Sequence, residues 1–262
     1  MFFLFLLNIA TEIFLHHLLW MGCDLMRPNW CILNPTSGAG RHLATLDRRL
    51  AELERRQLIE RRPTTDTRRV QRLTARGWEA AWGGQDPAAR WARPWDGRWR
   101  LLVFDLPTLA SGLRTRLRRL LLARRFGRLQ QSVWLTPDPV PEFQARLHPL
   151  PANVGSLLLF EGQTGASEPD AALVCRAWDF SALNKRYAAH ERWLKRCPAP
   201  ARGDGGRSPA LLGWTVQEFH AWRTALRGDP LLPRALQPPG YLGEKAWAAR
   251  RTVYQRLAAA LR

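Results

Sequence analysis

Arginine side chains between residues 41 and 69 are the groups in this chain best suited to binding an anion. A guanidinium group forms paired hydrogen bonds with a phosphate or with the edge of a guanine base. The same stretch carries leucines that recur at steps of three and four residues, and so share one helical face: Leu43, Leu46, Leu50 and Leu53. The sequence therefore predicts an amphipathic helix whose outer faces carry arginine.

A β-hairpin is predicted directly after this helix. Residues 58–62 can extend as a strand, residues 63–67 supply Pro, Thr and Asp for a turn, and residues 68–73 can return as a second strand. A helix followed by an arginine-bearing hairpin is the order of elements in a winged helix, in which the helix enters a DNA groove. A surface helix with an ordinary hairpin, or a winged helix that binds only protein, would give the same pattern.

If these elements bind DNA, helix residues face bases and phosphates, neighbouring arginines neutralise flanking phosphates, and the hairpin contacts the backbone or the minor groove. The predicted DNA contacts are Arg41, Thr45, Arg48, Arg49, Glu52, Arg55, Arg56, Arg62, Arg68 and Arg69.

Composition supports a polyanionic partner for a globular protein. The 262 residues can form two or three domains, and a hydrophobic fraction of 46% argues for packed cores. Lys+Arg number 40 against 22 Asp+Glu, a formal net charge of +18, which predicts strong and salt-sensitive attraction to nucleic acid. Only three of these cations are lysines, and an arginine excess of this kind also arises from biased coding.

Cysteine spacing and the apolar N-terminus bear on location. No cysteine pair has the spacing of a zinc module, so we expect neither a metal nor a cofactor, and a reduced cytoplasmic protein is the simplest interpretation. Residues 1–21 are long enough to span a membrane, but Glu12 lies mid-segment, where a carboxylate costs about 2.5 kcal/mol or more. We interpret the segment as a buried helix and expect no membrane partner.

Downstream of a Gly- and Pro-rich stretch, the pattern changes to alternating strands and helices. Apolar runs predict strands at 99–106, 129–136 and 155–161, and helices at 111–125 and 141–147. This order suggests a ferredoxin-like α+β unit. Residues from 178 onward predict mainly helices. The predicted organisation is a winged-helix domain at 1–82, a linker at 83–94, a ferredoxin-like domain at 95–172 and a helical domain at 173–262.

Four motifs give the chain a family resemblance. They are Trp95–Trp99 (WDGRW), Phe126–Leu129 (FGRL), Ala177–Phe180 (AWDF) and Gly228–Pro233 (GDPLLP). In this order and spacing, after the helix and hairpin, they make the chain resemble the PaaX-type family of phenylacetate-pathway repressors. The resemblance extends from about residue 43 to the C-terminus. It implies an N-terminal winged helix-turn-helix, a middle Cas2-like domain and a C-terminal helical domain.

The resemblance also implies a function. Members act as homodimers on palindromic operators in double-stranded DNA, and an aryl-acyl-CoA thioester releases the best-known ones. The chain is therefore expected to be a transcriptional regulator, a repressor rather than an enzyme, that responds to a small-molecule effector. A thioester would need cations for its phosphates and an apolar slot for its acyl group. The candidate contacts are Trp99, Trp134, Trp178, Arg186 and Tyr187, although large aromatic residues also form ordinary cores.

Two questions stay open at this point. Asp105 ends the first strand of the middle domain, where Cas2-type nucleases carry a metal-binding aspartate, so a metal-dependent Cas2-like nuclease is the alternative function. Asp105 could equally cap the turn that follows this strand. The arginines of helix 111–125 can form a solvated face, an auxiliary DNA-binding surface or a site for ligand phosphates.

Overall fold

A computed structural model of the chain describes residues 31–33, 48, 50–62, 69–81, 86–105, 111–140, 157–165, 167–199 and 209–260. The chain forms two compact units that alternate along the sequence. The first unit comprises Met1–Asp86, Arg186–Leu226 and Lys245–Arg262, and the second comprises Pro87–Lys185 and Arg227–Glu244. Both helices and antiparallel sheets are present, which confirms the α+β class.

The N-terminal part of the first unit contains the predicted helix and hairpin. Its described elements are β1 (Cys31–Leu33), α1 (residues 50–55), β2 (Ile59–Arg62), β3 (Arg69–Leu73) and α2 (Ala75–Ala81). The strands form an antiparallel sheet in the order β1-β3-β2. The predicted pairing of 58–62 with 68–73 is confirmed, whereas β1 and α2 were not predicted. The apolar helix expected within residues 1–21 lies outside the described residues.

Specific backbone contacts join α1 to the hairpin. Gln57 adopts a left-handed conformation with φ of 58°, and the Leu58 amide donates to the Leu53 carbonyl at 2.9 Å, which ends the helix. The Thr74 hydroxyl donates to the Gln57 carbonyl at 2.7 Å and accepts from the Gly77 amide at 2.9 Å, so Thr74 also caps α2. A Cβ atom on Gly77 would lie 1.7 Å from the Leu58 oxygen, so this position requires glycine.

Long helices complete the first unit. They are the later part of α6 (Phe180–Lys195) and most of α7 (Pro209–Arg227) and α8 (Gly243–Ala260). All three lie in the region from residue 178 onward that was predicted to be mainly helical. Their inward faces are rich in aromatic residues, since Tyr187, Trp222 and Tyr254 are each no more than 1% exposed. The C-terminal region is thus helical, as predicted.

The second unit contains a sheet of ferredoxin-like connectivity. Its elements are α3 (Pro87–Ala92), β4 (Trp99–Phe104), α4 (Ser111–Ala123), β5 (Gly127–Arg128), β6 (Val133–Thr136), β7 (Leu157–Gly162) and α5 (Asp170–Ala177). The described strands are ordered β5-β6-β4-β7, and every pairing is antiparallel. The single strand predicted at 129–136 is instead a short hairpin of β5 and β6. The helix expected at 141–147 lies outside the described residues.

Alternation along β4 and β6 places two apolar clusters on opposite faces of this sheet. On one face, Leu102, Phe104 and Trp134 pack with Leu117 and Leu121 of α4. On the other face, buried residues from four segments form a second cluster: Trp99, Leu135, Val174, Leu232 and Leu236. The loop between α7 and α8 therefore contributes to the core of the second unit.

Polar contacts hold that loop in place. The Asp229 side chain, 1% exposed, accepts from the Leu231 amide at 2.7 Å and from the Tyr241 hydroxyl. Arg125 donates to the Asp229 carbonyl and Arg93 donates to the Leu231 carbonyl. Leu231 has φ of 48°, an uncommon conformation for a residue with a branched side chain, which these contacts maintain. Of the helices that the structure describes, none is both long and apolar enough to cross a membrane.

Candidate nucleic-acid interface

The outward face of α1 carries arginines that a glutamate holds in place. Leu50 and Leu53 are fully buried, which fixes the orientation of the helix and leaves Glu52, Arg55 and Arg56 on its outer side. Glu52 forms an ion pair with Arg55, and a second with Arg56 at 2.5 Å. Two guanidinium groups thus share one carboxylate, and the local charge of this face remains positive.

The hairpin repeats this arrangement of paired charges. Glu60 lies opposite Arg72 in the β2–β3 register, and the two side chains form an ion pair at 2.7 Å. Arg61 donates through Nε to Glu54 at 2.6 Å, so β2 is joined to α1 by charge as well as by sequence. These exposed pairs each contribute little to stability, about 0.2–1 kcal/mol, but they set where the guanidinium groups lie.

The predicted DNA contacts fall into three groups. Arg48, Glu52 and Arg55 lie on described helix positions, Arg56 lies in the turn that follows α1, and Arg48 is exposed. Arg62 and Arg69 lie at the ends of β2 and β3 that flank the hairpin turn. The remaining predicted contacts lie outside the described residues: Arg41, Thr45, Arg49 and Arg68. The described part of the set therefore shares one helix and one hairpin.

The residues predicted to bind an effector are distributed over both units. In the second unit, the rings of Trp99 and Trp178 lie 6.4 Å apart, and the Trp99 indole donates to Asp170 at 2.7 Å. Trp134 belongs to the cluster on the opposite face of the same sheet. In the first unit, Arg186 is exposed, while Tyr187 is buried with its ring 6.0 Å from that of Trp222.

A buried polar cluster in the first unit was missing from the sequence prediction. Glu218 of α7 is fully buried and accepts hydrogen bonds from three residues on two other helices, α6 and α8. Arg250 donates through Nε at 2.7 Å and Nη2 at 3.1 Å, His190 Nε2 lies 2.7 Å from the carboxylate, and the Tyr254 hydroxyl also donates. Because a carboxylate only accepts, His190 carries its proton on Nε2. We name these four residues the Glu218 cluster.

Electrostatics keep the Glu218 carboxylate and the Arg250 guanidinium ionised despite their burial. Burial alone would raise the pKa of the Glu218 carboxyl, but Arg250 and His190 outweigh it and hold this pKa well below its usual range. Glu218 in turn raises the pKa of the Arg250 guanidinium against the effect of burial. Burial and the Glu218 charge raise the pKa of the Cys197 thiol to about 11.

A sequence signal for this cluster exists. Trp214, Glu218 and Trp222 recur at four-residue steps, which puts the carboxylate in the middle of an apolar stripe. Arg250 lies between two aromatic residues on one helical face, three residues after Trp247 and four residues before Tyr254. A single charge inside an aromatic stripe indicates a buried partner, but not which residue supplies it.

The nuclease alternative gains no support from Asp105. Its side chain is exposed at the end of β4. Within the described ranges, no group of three or more His, Cys, Asp or Glu side chains is arranged to hold a metal ion.

Comparisons with known proteins agree on one family. The family model of the PaaX protein central Cas2-like domain matches residues 92–174, and that of the PaaX-like protein C-terminal domain matches residues 178–262. The transcriptional repressor PaaX of Escherichia coli strain K12 is 28% identical over 200 residues, which cover 72% of this chain. The chain spans 59% of the length of that relative.

One solved structure is also similar. The uncharacterized protein Rv0674 from Mycobacterium tuberculosis is 21% identical, with a TM-score of 0.49, over 83% of this chain and 82% of that chain.

Proposed function

The chain belongs to the PaaX family, and on this premise we propose that it is a sequence-specific DNA-binding transcriptional repressor. The observation that carries the proposal is the match of both PaaX domains in their natural order, together with the similarity to a repressor of the same family. A protein of this function needs no catalytic group. Neither the exposed position of Asp105 nor these relatives favour the nuclease alternative.

We infer that the N-terminal elements form a winged helix in which α1 is part of the recognition helix and β2–β3 is the wing. The sheet order β1-β3-β2 and the burial of Leu50 and Leu53 beneath an arginine-bearing face support this inference. The proposed DNA contacts are those of the sequence analysis. In this arrangement Glu52 positions Arg55 and Arg56, and phosphate oxygens compete with its carboxylate for their guanidinium groups.

The proposed organisation is a winged helix at 1–82, a linker at 83–94, a Cas2-like domain at 95–172 and a helical domain at 173–262. A small-molecule effector, an acyl-CoA thioester in this proposal, shifts the protein toward a state with lower operator affinity. Of the five residues predicted from sequence, Trp99 and Trp178, whose rings lie 6.4 Å apart in the second unit, are its proposed apolar contacts.

We propose that the protein acts as a homodimer, and an exposed apolar sheet face supports this. Leu158 and Phe160 on β7 are 48% and 54% exposed, and they lie beside Val103 and Leu101 of β4 on one face of the sheet. Burying exposed apolar area of this kind in a subunit interface is favourable. Sedimentation at equilibrium should give a dimer for the natural protein and a monomer for Phe160→Glu. If the natural protein and Phe160→Glu formed dimers of equal affinity, this sheet face would not be the dimer interface.

The direct test of function is a binding titration with the DNA upstream of the protein's own gene. We expect tighter binding to that DNA than to a random duplex of equal length across a salt series. Equal affinity for both would contradict the repressor proposal. Replacing Arg68 and Arg69 with Ala should weaken binding to both duplexes alike if the wing contacts phosphates.

A second titration tests the effector. An aryl-acyl-CoA thioester should release the operator complex, while free coenzyme A and the free aryl acid serve as matched controls. Release by all three compounds alike, or by none, would contradict a thioester-specific response.

A further inference from the structure

We propose that the outward face of α4 is a second surface that binds DNA phosphates, additional to the N-terminal helix and hairpin. We name this surface the α4 basic face, and its residues are Gly112, Thr115, Arg116, Arg118 and Arg119. The inference rests on the proposed DNA-binding function and adds a contact surface from the Cas2-like domain to it.

The first observation is a high density of positive charge along α4 and the residues that follow it. Residues 111–128 contain seven arginines and no Asp or Glu. Arg116, Arg118 and Arg119 are exposed, and no described carboxylate forms an ion pair with them. Like charges at three- and four-residue steps destabilise a helix, so this array is unfavourable unless a polyanion neutralises it.

Arginines elsewhere in the described structure contrast with this array. Arg100, 4% exposed, is held by Asp96 and Glu161, and exposed Arg176 and Arg234 pair with Glu168 and Glu244 at 2.7 Å and 2.9 Å. The hairpin arginines pair with glutamates in the same way. Several arginines elsewhere thus have a carboxylate within reach, whereas Arg116, Arg118 and Arg119 have none among the described residues.

The second observation is that packing fixes the array in place. Leu117 and Leu121 are buried in the core beneath the sheet, so the opposite side of α4 must face outward. Gly112, Thr115, Arg116 and Arg119 line a shallow open depression of about 530 Å³ on that side. A Cβ atom on Gly112 would meet nothing within 4 Å, which leaves room beside the two guanidinium groups.

The shape of the α4 basic face fits an extended polyanion better than a small ligand. Sites for small molecules are enclosed and mostly apolar, whereas this depression is open and bounded by two charged side chains. A helix of 13 residues is about 20 Å long, and duplex DNA carries a charge for about every 1.7 Å of its axis. The charge on α4 therefore matches a run of backbone phosphates.

The test is a comparison of salt dependence in the full chain. The plot of log affinity against log salt has a negative slope. Arg116→Ala/Arg119→Ala should make this slope shallower by about 2, because each lost phosphate contact removes about 0.9 from its magnitude. The affinity should fall by about tenfold or more at physiological salt, equally for operator and random DNA, so sequence preference is retained. Arg116→Lys/Arg119→Lys keeps the charge and should restore the slope.

Arg176→Ala/Arg234→Ala is the matched control, since it removes two exposed charges from the same unit that glutamates already neutralise. It should change the slope much less. Thermal unfolding should show no loss of stability for Arg116→Ala/Arg119→Ala, because both side chains are exposed and alanine favours helix.

Other outcomes separate the two proposals. Suppose that the natural protein binds its operator specifically, but Arg116→Ala/Arg119→Ala and its control have equal slopes of log affinity against log salt. This result would overturn the α4 inference alone. A natural protein that does not prefer its operator would overturn the proposed function. If the α4 variant lost coenzyme A binding while its DNA slope stayed unchanged, the face would be a nucleotide-phosphate site, and the inference would be wrong.

Discussion

Replacing Glu218 with Gln should destabilise the first unit strongly, because it leaves the Arg250 guanidinium buried without a countercharge. The two side chains are fully buried and joined by hydrogen bonds of 2.7 Å and 3.1 Å. Removing one partner from a buried pair of this kind costs about 3–5 kcal/mol. Since domains are stable by only about 5–15 kcal/mol, this is a large fraction of the free energy of unfolding.

The contacts of Arg250 support the upper part of that range. Its guanidinium carbon lies 5.2 Å from the ring centre of Trp222 and 4.8 Å from that of Tyr254. Arg250→Met removes the charge but keeps much of the side chain's volume, so it should cost about as much as Glu218→Gln by leaving the buried carboxylate without its guanidinium partner. The double variant removes both charges, and its cost should be less than the sum of the two by about 0.5–3 kcal/mol.

Urea denaturation is the suitable assay, because urea is uncharged and keeps the ionic strength constant through the titration. Tryptophan fluorescence reports on this region, since Trp222 stacks on Trp247 at 5.3 Å. Because the chain has two units, circular dichroism should be followed in parallel to separate their transitions. Arg256→Ala on the exposed side of α8 is the control and should change the free energy of unfolding by less than about 0.5 kcal/mol.

The same cluster predicts a pH dependence. The folded pKa of Glu218 is lowered from an ordinary value of 4.5, so its contribution to stability is fully present above pH 4.5 and is lost as the pH falls below it. The natural protein should therefore lose more stability than Glu218→Gln over this acidic range. If Glu218→Gln were within about 1 kcal/mol of the natural protein at pH 7 and had the same acid profile, the reasoning would be refuted.

Three further perturbations test other parts of the structure. Glu52→Gln should release Arg55 and Arg56 and raise the affinity for operator and random DNA alike. Unchanged affinity in an anisotropy titration would show that the Glu52 carboxylate does not compete with phosphate for these arginines. Alkylation of Cys197 at pH 8, followed by peptide mass mapping, should be about 100-fold slower in the folded than in the unfolded protein, because a pKa of about 11 leaves little thiolate. Equal rates would contradict the half-buried position of this thiol beside the Glu218 charge. Gly127→Ala should cost about 1–3 kcal/mol in thermal unfolding, because its Cβ would lie 2.6 Å from the Trp178 side chain, and a Tm equal to that of the natural protein would contradict this packing.

The structure explains why the motifs of the family resemblance contain these residues. Gly127 allows close approach of Trp178, so the FGRL and AWDF motifs depend on each other. In the WDGRW motif, Gly97 has φ of 75° and Asp96 accepts from the Arg98 amide at 3.0 Å, which forms the turn into β4. In the GDPLLP motif, Asp229 holds the loop backbone. These motifs are explained by packing and turn geometry.

Local periodicity in the sequence was sufficient to predict most helices and strands. The three- and four-residue steps of leucine place α1, α4 and their buried faces, and continuous apolar runs place β4 and β7, because these patterns depend only on neighbours along one element. Short helices such as α2 and α3 were missed, since six or seven residues contain too little periodicity and lie among glycines and prolines that suggested a linker.

The sequence by itself determined the elements, the arginine excess and the acid-free stretch on α4, because these are properties of composition and spacing. Only the tertiary structure decided which charged side chains form ion pairs with one another. Glu218 finds His190, Arg250 and Tyr254 at separations of 28, 32 and 36 residues, and the loop at 228–233 joins the core of the second unit although its flanking helices belong mainly to the first. The physical reason is that burial of a charge depends on which helices pack together, and that choice is made by apolar surfaces far apart in the chain.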